Sequence, residues 1–197
     1  MAKKPHHHGN LRPALIGAGL EILDEVGLAG LTLRGVAARA GVSHAAPAHH
    51  FKGLPGLTAA LAAHGWQVFA AFMVEDRSQA SPAPRAQLLA ICNGYLRFVF
   101  AHPGLFTLIF NTDSQELTAP EVQLASHEAY VILQQACAPY QPIGPTEGAT
   151  EMLVWAVVHG LACLQVSGHV GEKSLAAAKA VLAEILPELQ LRLPTTA

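Results

Sequence analysis

The sequence predicts an all-α protein of about nine helices, with an N-terminal helix-turn-helix head and a C-terminal helical body. Three observations carry this. Apolar residues recur at spacings of three and four along most of the 197 residues, and no stretch alternates convincingly as a half-buried strand does. Hydrophobic residues make up 51% and charged residues 13%, so the chain can bury a large core and is not of disordered composition. GVSHAAPAHHF (41–51) follows the apolar-patterned LTLRGVAARA (31–40), with Gly41 where one helix must stop and Ser43 where the next must start. Two short helices joined by a tight glycine turn are the sequence form of a helix-turn-helix, and in DNA-binding versions the second helix enters the major groove.

Asn10 can cap the first helix, and Pro13 is tolerated in its first turn, where no intrahelical N–H is needed. Leu11, Leu15, Ala18, Ile22 and Val26 form its apolar face, and Gly27 and Gly30 end it. Thr32 caps the second helix, with Leu33, Val36, Ala37 and Ala40 inward; Ser43 caps the third. The fourth runs from about Gly56 to Glu75 on Leu57, Leu61, His64, Val68 and Phe72. SQASPAPR (78–85) is a linker of small residues and prolines. Leu88, Ile91, Cys92, Tyr95, Phe98 and Val99 mark a fifth helix ending near Ala101, and His102-Pro103-Gly104 breaks before the short LFTLIF helix. Pro120 to Ala138 is the seventh, and a loop at 139–145 precedes an apolar eighth over 147–167. Leu175, Ala178, Leu182, Ile185 and Leu189 give the ninth a narrow packing seam, which Pro187 kinks or ends. The expected division is a head at 1–56, a connecting helix at 57–80 and a body at 81–197.

Net charge is −2, which excludes a uniformly basic nucleic-acid coat. Its distribution is uneven: residues 1–52 carry a net +3 and six of the eleven histidines, whereas 53–197 carry −5. That split suits an anionic partner for the N-terminal quarter. Cys92, Cys137 and Cys163 are odd in number and widely spaced, as free buried thiols in a reducing compartment are. MAKKPHHHGN has no apolar core behind its charges, so no signal peptide is expected. The longest apolar run (152–166) is shorter than the roughly 20 residues a bilayer span needs, so no membrane association and a cytoplasmic location are expected. The positive mean hydropathy of +0.32 then calls for an oligomer interface or an apolar pocket.

The helix, LTLRGVAARAGVS, the short helix ending in HHF and the apolar helix after it resemble the TetR family of bacterial transcription regulators. HHGNLR (7–12), VSHAAP (42–47), HPGLFTLIF (102–110) and WAVVHGLACL, with Trp155, His159 and Gly160, look like the subgroup with a C-terminal WHG domain. The resemblance covers nearly the whole chain. It implies an all-helical homodimer with a DNA-binding head and a ligand-binding, dimerising body. Members mostly repress, and release DNA when a small molecule binds the body. The chain departs from the family pattern at two positions. Ala48 stands where members usually carry a Tyr that contacts a DNA phosphate, and Leu54, followed by Pro55, stands where Lys or Arg usually opens the fourth helix. Without those two phosphate ligands per subunit, affinity weakens and its salt dependence flattens, unless Lys52 substitutes.

A recognition helix needs a capped start and donors on its exposed face. Ser43 supplies the cap, and helix N-termini favour phosphate oxygens. His44, Ala45 and Ala48 are groove-face candidates: small residues meet a thymine methyl and His44 donates to a base acceptor. His49, His50, Lys52 and Arg34 are phosphate candidates. Packing between helices is the other reading of His50, and Phe51 reads as core. Lys3, Lys4 and Arg12 can form an arm along the DNA; HHH at 6–8 reads as native to it, a tag remnant being the alternative.

In the body, Tyr95, Phe98, Phe106, Phe110, His127, Tyr130, Trp155, His159 and Cys163 are ligand-pocket candidates, suited to a small, apolar effector. Ala156 and Gly160 permit close helix approach, which places a homodimer on 147–168 with 172–191 and recognition helices about 34 Å apart on double-stranded DNA. No nucleophile elbow, GxGxxG, P-loop or HExxH occurs, so neither enzyme activity nor a cofactor is expected. Two rival readings stand: a metal sensor built on His159 and Cys163, and a dimeric ligand-binding protein that has lost DNA binding.

Overall fold

The computed structural model describes residues 11–110, 118–169 and 171–194, so Asn10, Lys3, Lys4 and the histidines at 6–8 lie outside the described residues. Nine α-helices and one 3-10 turn, and no strand, occur among those residues: α1 (Leu11–Val26), the turn Leu28–Gly30, α2 (Leu33–Ala40), α3 (Ala45–Phe51), α4 (Leu54–Gln79), α5 (Pro84–Ala101), α6 (Pro103–Phe110), α7 (Pro120–Cys137), α8 (Ala149–Val166) and α9 (Leu175–Glu188). The chain divides into two compact units, one of residues 1–65 with 104–123 and one of 66–103 with 124–197.

In the first unit, α1 ends at Gly27, whose φ of 70° suits glycine and whose N–H reaches the Leu23 carbonyl. Leu15, Ala18 and Ile22 are buried as the apolar spacing predicts, but Val26 is 61% exposed. It belongs to the last turn, where the chain is already leaving the helix. Thr32 caps α2 by accepting from the Gly35 N–H at 3.0 Å. Gly41 closes α2 in the left-handed conformation (φ 67°), with the Gly41 and Val42 N–H groups returning to the carbonyls of Ala38 and Ala37. Arg39 ties α2 to α1 through two 2.6 Å bonds to Glu25 and a 3.5 Å contact with Glu21.

The Ser43 cap is corrected. The capping position of α3 is His44, with no side-chain cap. The Ala46 N–H that a Ser43 hydroxyl would take is bound by the Ser43 carbonyl instead, and Pro47 has no N–H to offer. Between α3 and α4 the backbones nearly touch: a Cβ on Gly56 would sit 1.7 Å from the Phe51 carbonyl oxygen.

In the second unit, α5 packs on α8 and α9, which also pack on each other. All six apolar positions expected of the fifth helix are buried, and Gly94 lets α5 approach the α4 backbone at Phe72 and Met73. The fourth helix extends beyond the expected Gly56–Glu75 at both ends, and its later buried side is Trp66, Phe69 and Met73 rather than Val68 and Phe72. By length and composition α4 and α8 are apolar enough to cross a membrane; 56% of the most apolar 18 residues of α4 and 33% of those of α8 are buried within the chain.

Candidate DNA-reading face and ligand cavity

The short α3 has one buried side and one open side. Pro47 and Phe51, four residues apart, are its anchors in the core. Ser43, His44, Ala45, Ala48, His49, His50 and Lys52 are all exposed, and so is Arg34 on α2. The packing alternative for His50 is therefore replaced by an exposed ring, set edge-on to His49 with centroids 5.9 Å apart. Lys52 holds a left-handed conformation (φ 55°) that aims the chain from α3 into α4.

The charges on this face sort themselves by partner. Arg39 is committed to Glu25 and Glu21. Arg12 lies with its guanidinium 5.4 Å from the Phe51 ring centroid, which fastens the start of α1 to α3. Among the described residues, no carboxylate pairs with Arg12, Arg34 or Lys52, so these three carry uncompensated positive charge, Arg34 and Lys52 with no ring beneath them. Ala48 stands in the middle of the open side with no polar group to offer, and Leu54 is 37% exposed at the start of α4.

In the second unit a partly open cavity of about 40 Å³ lies between α4, α5, α7 and α8. Its walls are almost wholly apolar, and five of the lining residues are aromatic: Trp66, Phe69, Tyr95, Tyr130 and Trp155. Phe69 meets Trp66, Tyr95 and Phe98 edge-on at centroid distances of 5.6, 4.9 and 5.2 Å, and Trp155 leans on Tyr130 at 6.1 Å. Of the nine residues expected from sequence, Tyr95, Tyr130 and Trp155 line this space. Phe98 is fully buried without facing it, and His127 is exposed on α7. Phe106 and Phe110 meet each other at a tilt in the first unit, so they are not part of this wall. Sequence reading missed Trp66, Phe69 and Met73, although their three–four spacing on one helix was a readable signal.

His159 and Cys163 do not line the cavity; they support Tyr95 from behind. The Tyr95 hydroxyl lies 2.6 Å from His159 Nδ1, and His159 Nε2 lies 3.4 Å from Cys163 Sγ. The Trp155 indole N–H, a donor only, bonds to the Tyr95 oxygen. Tyr95 therefore accepts from Trp155, and the direction of the Tyr95–His159 and His159–Cys163 contacts follows the imidazole tautomer. Burial favours the neutral form of each member: it raises the Tyr95 phenol, lowers the His159 imidazolium and raises the Cys163 thiol. Cys92, on the cavity wall, is pushed up to about 12 by burial and by its neighbour Cys137, so it is an inert thiol. His159 and Cys163 find no third metal-binding side chain: no group of three or more His, Cys, Asp or Glu is placed for a metal among the described residues.

Comparison with known proteins agrees with this architecture. Residues 88–187 match the family described as tetracyclin repressor-like, C-terminal domain. Over 80 residues the chain is 41% identical to the HTH-type transcriptional regulator BetI of Burkholderia thailandensis, a match that spans 41% of each chain. A Rhodococcus sp. RHA1 protein of unknown function has the same fold over 93% of this chain and 96% of its own, at a TM-score of 0.76 and 29% identity. So does FadR of Bacillus subtilis, solved with stearoyl-CoA, over 87% of this chain and 95% of that one at a TM-score of 0.68 and 16% identity. The matched family region takes in half of the sequence, from within α5 to α9, and the chain belongs to the tetracyclin repressor-like (TetR) family of transcription regulators.

Proposed function

We propose that the protein is a homodimeric DNA-binding regulator, a repressor that leaves a pseudo-palindromic operator when a small apolar molecule enters the cavity of its second unit. The observation that carries the reading is the open side of α3. Ser43, His44, Ala45, Ala48, His49, His50, Lys52 and Arg34 are exposed, Pro47 and Phe51 fix the helix from behind, and Arg34 and Lys52 have no carboxylate partner among the described residues. Arg34, His49, His50 and Lys52 take phosphates; His44, Ala45 and Ala48 meet base edges, and Ser43 lies beside the backbone. The functional division is a reading head at 1–56, a connecting helix at 57–80 and an effector and dimer body at 81–197.

The effector reading rests on the aromatic cavity. Drug-sized ligands occupy roughly 300–1,000 Å³, so a space of about 40 Å³ must widen to admit one. A ligand that binds only the widened form shifts the population towards it, which is the coupling a released repressor needs. The dimer reading rests on α8, where Met152, Ala156, Gly160 and Leu164 recur every fourth residue, Met152 and Leu164 being 62% and 46% exposed. An α8 surface buried against a second copy explains the hydropathy of that helix in a soluble, cytoplasmic protein without catalytic activity.

The test is selection of duplexes from a random pool by untagged protein, followed by binding at several salt concentrations. An enriched pseudo-palindrome bound far more tightly than random DNA supports the reading; no enrichment by folded dimer overturns it. Ala48 and Leu54 favour one second reading, an effector-binding dimer with weakened DNA affinity. In that case Ala48→Tyr creates operator binding that the wild type lacks.

A further inference from the structure

We propose a second small-molecule site, formed by α5, the loop after α7, α9 and the segment that follows it, which takes a short aliphatic carboxylate. This site is separate from the aromatic cavity and does not depend on DNA binding.

A cleft of about 100 Å³ opens there. Leu88, Leu89, Leu186 and Leu191 supply its apolar wall, and Arg85 and Tyr140 its polar end. Tyr140 is only 6% exposed, yet its hydroxyl has no hydrogen-bond partner. A buried hydroxyl left unpaired is costly, and Tyr140 belongs to the lining of this cleft, so its hydroxyl is poised for an acceptor there. Arg85 gives one N–H to the Leu191 carbonyl at 3.2 Å, which leaves the rest of its donor fork unused. No carboxylate pairs with it among the described residues. Arg85 lies close enough to Tyr140 for its charge to oppose the rise that burial imposes on the phenol.

Two donors, one of them cationic, beside four leucines define the occupant. An acceptor with a negative charge satisfies both Tyr140 and Arg85, and the cleft has room for only a short branched or straight tail. The start of α5 adds to the preference. Arg85 is the second residue of an 18-residue helix whose N-cap, Ala83, offers no side-chain cap and whose first turn holds no acid, so the positive end of its dipole is uncompensated. The wall is held in place by the Gln141 N–H, which donates to the Arg192 carbonyl at 2.7 Å and pins the loop to the final segment.

Butyrate is the probe, titrated into the untagged full chain by calorimetry at neutral pH, with n-butanol as the uncharged control. The expected result is saturable butyrate binding, at least tenfold tighter than butanol, weakened at least tenfold by Arg85→Gln and by Tyr140→Phe. Tyr140→Phe removes only an unpaired hydroxyl, and Arg85 is exposed, so both variants fold; circular dichroism checks this. Trp66 and Trp155, the two tryptophans, both line the other cavity, so butyrate leaves the tryptophan emission unchanged. Absence of saturation, equal binding of butanol, undiminished binding by both variants, or a tryptophan response tracking butyrate occupancy each overturns the proposal.

Discussion

The Tyr95 hydroxyl on α5 meets Nδ1 of His159 on α8 at 2.6 Å, and this bond orients a side chain of the cavity wall from outside the cavity. Tyr95 is 4% exposed while Trp155, His159 and Cys163 are half-buried, so the phenol is the member of the chain most shut off from water. A buried polar chain of this kind is stabilising only while every member is satisfied. The indole can only donate to the phenol, and the imidazole tautomer sets the two contacts beyond it.

Removing the middle member exposes that dependence. Tyr95→Phe removes the oxygen that meets both the Trp155 N–H and His159 Nδ1, while ring packing on Phe69 is kept. The expected cost is about 1–3 kcal/mol, that of an unsatisfied buried polar group, read as a lower urea midpoint. A variant as stable as wild type would show that the chain contributes nothing.

His159 also sets a pH dependence. Burial holds its pKa below the ordinary value. As pH falls through about 6.5, the unfolded chain takes up this proton before the folded one does, so stability rises with pH in that window. The contribution is fully present above the unfolded value and is lost as pH falls through the lowered folded value. Urea titrations should show wild type losing more stability than His159→Gln between neutral and mildly acidic pH. Parallel losses in the two proteins would remove His159 as the cause.

The all-helical fold was legible because burial follows spacing: Leu15, Ala18 and Ile22, then Leu88, Ile91, Tyr95 and Phe98, point inward as their periods require. Gly41 and Thr32 were legible because their backbone chemistry is local. Ser43 was not, since the competing acceptor for the Ala46 N–H is its own carbonyl, a choice that residue type does not encode. The cavity was half legible. Aromatic identity marks Tyr95, Tyr130 and Trp155 as candidates, but whether an aromatic faces a space or fills it depends on neighbouring helices, as Phe98 shows.

Lys52 separates stability from DNA affinity. A left-handed conformation is strained for lysine and tolerated by asparagine, so Lys52→Asn should gain up to about 1 kcal/mol. The same change deletes a cation proposed to neutralise a phosphate. Operator affinity should fall, and the slope of log K against log salt should flatten by roughly 0.9 for each phosphate no longer neutralised. A more stable protein with an unaltered slope would place Lys52 away from the DNA.

Met152 and Leu164 test the proposed dimer face. They stand on the outward stripe of α8 with Ala156 between them, and Gly160 has no atom within 4 Å of where a Cβ would be. Nothing inside the chain therefore resists larger or charged groups at these positions. In a symmetric interface each substitution is met twice, so like charges face a buried apolar surface from both copies. Met152→Lys with Leu164→Lys should shift sedimentation from dimer to monomer at micromolar concentration while leaving helical content intact. Operator binding should weaken with it, because a monomer engages one half-site only. Dimers that persist in the double variant would move the interface off this stripe, and a monomeric wild type would remove the two-fold operator along with it.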